Sequence, residues 1–320
     1  MAVIGVDLGG TKVAAALFSR EAELLARADA PVGGQTGAGV AERVARAIVE
    51  LRSAAAERGE DVAAIGVAVP GIYRSATGTV WAPNIPGWED YPLLAEVEAA
   101  AGGAPVRIDS DRAAYILGES WRGAARGCQD AIFLAVGTGI GAGILVGGRV
   151  LRGSADIAGA IGWMALSRPW IEPYRNVGCF EFHASGAGLA EVARRLLAVT
   201  PRYIGRLREI PPDALRAEDV FAAYDGRDPI AGQVVEEAIT YWGMATANLV
   251  SLFNPEKIVF GGGVFGPAAR LLPRIREQAA TWAQPIAMKQ VELVASELGG
   301  DAGVWGAGRL ALDAATDANR

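Results

Sequence analysis

The chain has 320 residues, 51% apolar and 21% charged, a globular balance that excludes a disordered or fibrous protein. Thirty basic residues against thirty-six acidic ones leave a net charge of -6, which argues against a nucleic acid or an anionic membrane surface as the main partner. No apolar run is long enough to span a bilayer, no basic region of a signal peptide precedes the first strand, and two cysteines cannot frame a disulfide scaffold, so a soluble cytoplasmic protein is expected.

The N-terminus reads strand, glycine turn, strand, turn, strand, in "VIGVDLGG", "TKVAAALFS" and "AELLARADA". An amphipathic helix is predicted over Ala38 to Arg58, then the strand "VAAIGVAVP" and later "APVRID". The same figure returns in mid-chain as "AIFLAVGTG", "IGAGILVGG" and "RVLRGS". Helices from Gly186 to Val199 and from Pro229 to Ser251 follow, with the strands "KIVFGGG" and "QVELVAS". A duplicated β-β-β-α-β unit predicts an α/β protein of two similar lobes around a cleft. The smaller lobe is expected to hold residues 1–109 and 302–320 and the larger 110–301. The hinge is placed near Asp109, and a last helix over Ala302 to Ala315 crosses back.

Three glycine clusters stand at strand ends. The first hairpin carries Asp7, Gly9, Gly10, Thr11 and Lys12. Glycines there let backbone N–H groups converge on phosphate oxygens. Thr11 adds a hydroxyl donor, and Asp7 could hold a hydrated Mg²⁺. The second hairpin repeats the figure with Gly137, Thr138, Gly139 and Gly141, and Gly261, Gly262 and Gly263 end a later strand where a purine or ribose could approach the backbone. One such turn is ordinary hairpin chemistry; two matched turns with a third cluster point to a nucleotide bound across the cleft.

These residues resemble the ROK family (repressors, open reading frames, kinases) of the actin/hexokinase-like ATPase superfamily. "GVDLGGTK" and "VGTGIGAGILVGGRVLRG" look like its two phosphate motifs, "NPEKIVFGGGVF" like its adenosine-side motif, and "VPG" with "PNIPGW" like its sugar-side loop. No helix-turn-helix precedes Val3, so the kinase branch is expected rather than the repressors. The resemblance implies two RNase H-like lobes, ATP and Mg²⁺, a sugar acceptor and a homodimer. It places the general base at Asp111 in "IDSDRAAYILGE", with Ser110 where the family has a sugar-contacting asparagine and Ala113 where it has a second. Asp111 could instead cap the helix that follows, and Asp109 is the rival base. Gly71 and Asn84 fall at family substrate contacts, although turn chemistry alone would also explain Gly71.

The family's Glu-x-Gly-His motif and zinc-binding cysteines are where this chain departs. Ala160 and Trp163 stand at the glutamate and histidine positions, and Glu172 and Tyr174 at two of the cysteines; only Cys179 remains. A four-ligand structural zinc is therefore expected to be absent. Glu181 matches a glutamate that contacts the sugar, while His183 reads as a packed or half-exposed ring. Trp163 could stack on a sugar face or fill space vacated by the metal loop. Losing these hydrogen-bonding partners predicts an acceptor other than ordinary glucose: a modified, amino or deoxy sugar, or a cyclitol. The alternative from another class is a sugar- or nucleotide-binding protein with little catalysis.

Overall fold

The structure, a computed structural model, describes residues 1–318, so the last two residues of the expected small lobe lie outside the described residues. Its first half runs through β1 (Ala2–Leu8), β2 (Lys12–Ser19), β3 (Leu24–Pro31), α1 (Ala38–Glu57) and β4 (Val62–Val69). A short hairpin of β5 (Ile72–Arg74) and β6 (Thr79–Trp81) follows, then α2 (Leu93–Ala101), β7 (Val106–Ser110) and α3 (Asp111–Arg122). The second half begins with β8 (Ala131–Val136), β9 (Ile140–Val146) and β10 (Arg149–Val150). The helices α4 (Tyr174–Val177), α5 (Cys179–Ala184), α6 (Gly186–Val199), α7 (Ala217–Asp225) and α8 (Pro229–Phe253) precede β11 (Lys257–Gly261). The chain ends with α9 (Leu272–Ala280), α10 (Pro285–Gln290), β12 (Glu292–Ala295) and α11 (Ala302–Asp317).

The duplication read from the glycine turns is a duplication of topology. One sheet has the strand order β3-β2-β1-β4-β7 and the other β10-β9-β8-β11-β12. In each, two antiparallel hairpins lead into two parallel neighbours. Strands buried on both faces need a continuous apolar run rather than an alternating one, and β1 is such a run, "AVIGVDL", with only Asp7 partly open. The expected third strand "RVLRGS" shrinks to the two residues of β10, because Arg152 leaves the sheet to pair with Asp109.

In the first lobe the core lies between the sheet, α1 and α2, with α11 packed on the other face through Val304 and Ala311. In the second, α8 supplies Val234, Ala238, Trp242 and Leu249 to the main core, which buries most of its apolar surface and leaves Leu252 exposed near its end. Helix α3 packs on the second sheet through Ile116, which meets Phe133 and Leu145. Helices α3 and α11 cross at the seam between the lobes on small residues. A Cβ at Gly118 would overlap the Ala302 carbonyl, and one at Gly306 the Ala114 carbonyl. Among the described residues, no helix is long and apolar enough to cross a membrane.

Candidate active site

A cleft of about 970 Å³ opens between the lobes. The matched hairpins face each other across it: Asp7, Gly9 and Gly10 end β1, and Gly137, Thr138 and Gly139 join β8 to β9. Gly261, Gly262 and Gly263 line it at the end of β11, where Gly262 has a φ of 86° that a side chain would resist. Thr11 and Lys12 do not line the cleft. They form the exposed tip of the first turn, whose Lys12 carbonyl accepts from the Gly9 N–H at 2.9 Å.

The cleft floor carries two neighbouring carboxylic acids. Asp111 is the first residue of α3, and the helix cap is Ser110, whose hydroxyl accepts from the Ala113 N–H at 3.3 Å. So Ser110, not Asp111, takes the capping role, and Ser110 is buried behind the cleft rather than lining it. Burial raises the Asp111 carboxyl to about 6, against the nearby Arg112 charge, the Arg112 N–H and a hydrogen bond from Tyr115. Asp7 is raised to about 7 by burial and by the Asp111 charge, with Lys12 opposing. Asp7 also touches α11: a Cβ on Gly303 would overlap its carboxylate.

Asp109 does not reach the cleft. Its carboxylate is buried and paired with Arg152, whose Nε donates at 2.8 Å and whose other guanidinium nitrogen stands 2.6 Å away. The pair fastens the end of β7 to the loop after β10.

On the acceptor side, Gly71 adopts a φ of 104° because a side chain would run into the Trp81 carbonyl of β6, so the close approach of two strands decides this glycine. Asn84 lies over the first turn, its amide nitrogen 3.4 Å from where a Cβ on Gly10 would be. Glu181 is half-buried in α5 and accepts from the Ile140 N–H at 2.6 Å, close under the second turn. Burial raises its carboxyl, with the Ile140 N–H opposing. Trp163 is 57% exposed and lines the cleft, so it does not fill a buried volume.

His183 is stacked on Tyr241 with ring centroids 4.3 Å apart. Its Nε2 meets the Tyr174 hydroxyl at 2.6 Å and its Nδ1 the Glu237 carboxylate at 2.5 Å, so both ring nitrogens are engaged. With Ala160, Trp163, Glu172 and Tyr174 at the neighbouring positions, the donors around Cys179 and His183 do not fit a four-ligand zinc site.

A second recess of about 560 Å³ adjoins the cleft at Gly137, Thr138 and Gly263. Ala187, Ala190, Leu215, Phe221 and Val264 give it apolar walls, and Arg194, Arg216 and Glu218 line it as well. Sequence patterns do not show this recess, since α6 and α7 form it only by packing together. Arg112, Tyr115 and Gly303 were likewise silent: each sits inside an ordinary helical pattern.

Residues 3–314 match the ROK family. The chain is 34% identical to a glucokinase of Halalkalibacterium halodurans over 96% of this chain and 94% of that protein. The structure of a ROK hexokinase from Thermus thermophilus superposes with a TM-score of 0.80 at 33% identity, covering 99% and 100% of the two chains. A ROK glucokinase from Streptomyces griseus, solved with glucose and AMPPNP, gives a TM-score of 0.76 at 30% identity, covering 98% and 100%. Both structures have the actin/hexokinase-like two-lobed fold described here. The chain belongs to the ROK family and is a sugar kinase.

Proposed function

We propose that the protein transfers the γ-phosphoryl group of ATP to a hydroxyl of a sugar or sugar-like acceptor other than ordinary glucose, with Asp111 as general base. One observation carries this reading: Asp111 stands in the cleft between two facing phosphate-binding turns, with a carboxyl raised to about 6. A base poised near the working pH is ionised in use yet still basic enough to accept the acceptor's proton. Ser110 acts indirectly, by capping α3 and fixing the angle at which Asp111 enters the cleft.

The donor phosphates lie along the N–H groups of Gly9, Gly10, Gly137, Thr138 and Gly139, and the base and ribose in the adjoining recess, next to Gly261, Gly262 and Gly263. A recess of nucleoside size with apolar walls beside the phosphate turns supports ATP as the donor. Asp7 would hold a hydrated Mg²⁺: its carboxylate lines the same space as both turns. Such an ion would neutralise phosphate charge. The acceptor is held by Gly71, Asn84 and Glu181, with Trp163 across its face. Ala160 and Trp163 offer no carboxylate or imidazole, which is the support for an acceptor unlike glucose.

Residues 1–109 with 302–318 make one lobe and 110–301 the other, and the two meet at the α3–α11 crossing. Exposed Leu252, Trp282 and Ile286, where the ends of α8, α9 and α10 meet, suit a homodimer contact. The test is ADP release with Mg·ATP over neutral hexoses, amino and deoxy sugars and cyclitols. Acceptor-dependent release weaker with glucose than with another member supports the reading; glucose as best acceptor contradicts its substrate half, and no release with any member contradicts it whole.

A further inference from the structure

Among the described residues, four charged ones line the cleft: Asp7, Asp111, Glu181 and a single cation, Arg112. Among the described residues the Arg112 guanidinium forms no ion pair or hydrogen bond, in contrast to Arg152, which is committed to Asp109. Its stem is fixed: it lies across Gly141 of β9, where a Cβ would stand 2.5 Å from the arginine Cδ. Arg112 is a half-buried residue whose guanidinium carries five N–H donors and no protein acceptor, so those donors are available to a ligand in the cleft.

The fold says which half of the cleft this charge serves. The phosphate turn joins β8 to β9, and the nucleotide recess continues at Gly263 beyond β11, on one side of β8 in the order β9-β8-β11. Asp111 and Tyr115, four residues apart on α3, face Asp7 and the phosphate turns. Arg112 is rotated one position round the helix onto β9, on the side of β8 away from β11. Of the cleft residues near that strand, Ile140, Ile157 and Ala160 are apolar, and the carboxylates of Glu181, held by the Ile140 N–H, and of Asp111 lie in the same cleft without forming an ion pair with the guanidinium.

We infer that Arg112 recognises an oxyanion on the acceptor, so that the substrate is an acidic sugar or polyol bearing a carboxylate or phosphate group. The planar fork of arginine matches such an oxyanion bidentately, whereas neutral hydroxyls are served equally well by carboxylates and amides. The inference rests on the kinase reading and deepens it. The acceptor's oxyanion sits on Arg112 while its hydroxyl sits on Asp111, the next residue in the chain. The hydroxyl oxygen bonds to the γ-phosphorus as the bond to the ADP oxygen breaks, and the hydroxyl proton passes to Asp111.

The experiment compares kcat/KM for matched pairs, each neutral sugar against its uronate, its aldonate and its monophosphate, in the native protein, Arg112→Lys and Arg112→Met. An acidic member of a pair is expected to exceed its neutral counterpart in the native protein. Arg112→Met should lower that acid-to-neutral ratio by about 10- to 100-fold through KM, the range expected for hydrogen bonds to a charged group, with Arg112→Lys between. Whether uronates and aldonates or monophosphates respond identifies the oxyanion. Neutral sugars outperforming all their acidic partners would overturn the inference and leave the kinase reading intact. So would an unchanged ratio with kcat reduced for every acceptor, which would move Arg112 to the transferred phosphoryl group. No ADP release with any acceptor would overturn both.

Discussion

The carboxylate of Asp7 rests against Gly303 in the first turn of α11, in the space a side chain at 303 would occupy. A methyl group there must displace either the carboxylate or the helix. Gly303→Ala is therefore expected to lower kcat by about 10²-fold, the usual consequence of misplacing a catalytic group by about 1 Å. Overpacking the seam should also cost about 1–3 kcal/mol of stability. Steady-state kinetics and urea unfolding of the variant check both figures.

Asp109 and Asp111 stand two residues apart and should behave differently. Asp111→Asn removes the proton acceptor and is expected to reduce kcat by about 10²- to 10⁴-fold. Asp109→Asn should leave kcat within about threefold while lowering the melting temperature, since it leaves Arg152 without its partner at a lobe contact. Because Arg152 is 41% exposed, water can take up much of that loss. Kinetics paired with thermal melts of the two variants test the distinction.

The pH profile follows from the raised carboxyls. With Asp111 at about 6, kcat/KM should rise through pH 6 as the base ionises and flatten above it. Stability runs the other way. The folded pKa of Asp7, about 7, lies above its ordinary value of 3.8, so folding favours the protonated acid. That contribution is complete below about pH 4 and is lost as pH rises through about 7. In EDTA and without nucleotide, Asp7→Asn should melt at nearly the native temperature at pH 4 and above it at pH 8. The expected gain is about 2–4 °C for each kcal/mol released. Melting curves at the two pH values check the sign.

Glu181 holds the Ile140 N–H beneath the second glycine turn and also lines the cleft, where the proposed acceptor would sit. Glu181→Ala leaves that donor without its partner and is expected to raise KM for the acceptor by about 10-fold or more, with kcat falling as the turn loosens. Glu181→Gln keeps an acceptor oxygen for Ile140 and should retain more activity. Separate KM values for acceptor and ATP distinguish the two roles.

The doubled sheet was legible because its signals are local. Buried strands such as β1 are unbroken apolar runs, and each hairpin is marked by glycines at the turn, so strand order could be paired across the two halves. The cleft residues carried by those turns, from Asp7 to Gly10 and from Gly137 to Gly139, were legible for the same reason. Residues whose meaning depends on rotation about a helix were not. Asp111 and Arg112 are adjacent letters, yet one faces Asp7 and the other lies across Gly141. Nor does a glycine in "GGDAGVWGAG" disclose that Gly303 meets Asp7 while Gly306 meets Ala114; that needs the crossing of α11 over β1 and α3. His183 is similar, since Glu237 comes to it from 54 residues away.

The central claim is that Asp111 takes the acceptor's proton as the phosphoryl group is transferred. The most direct measurement is single-turnover phosphoryl transfer from Mg·ATP to the best acceptor, in the native protein and Asp111→Asn, with nucleotide affinity measured alongside. The account predicts nearly equal ATP binding and a transfer rate lower by about 10²-fold or more in the variant. Transfer at the native rate in Asp111→Asn would contradict it.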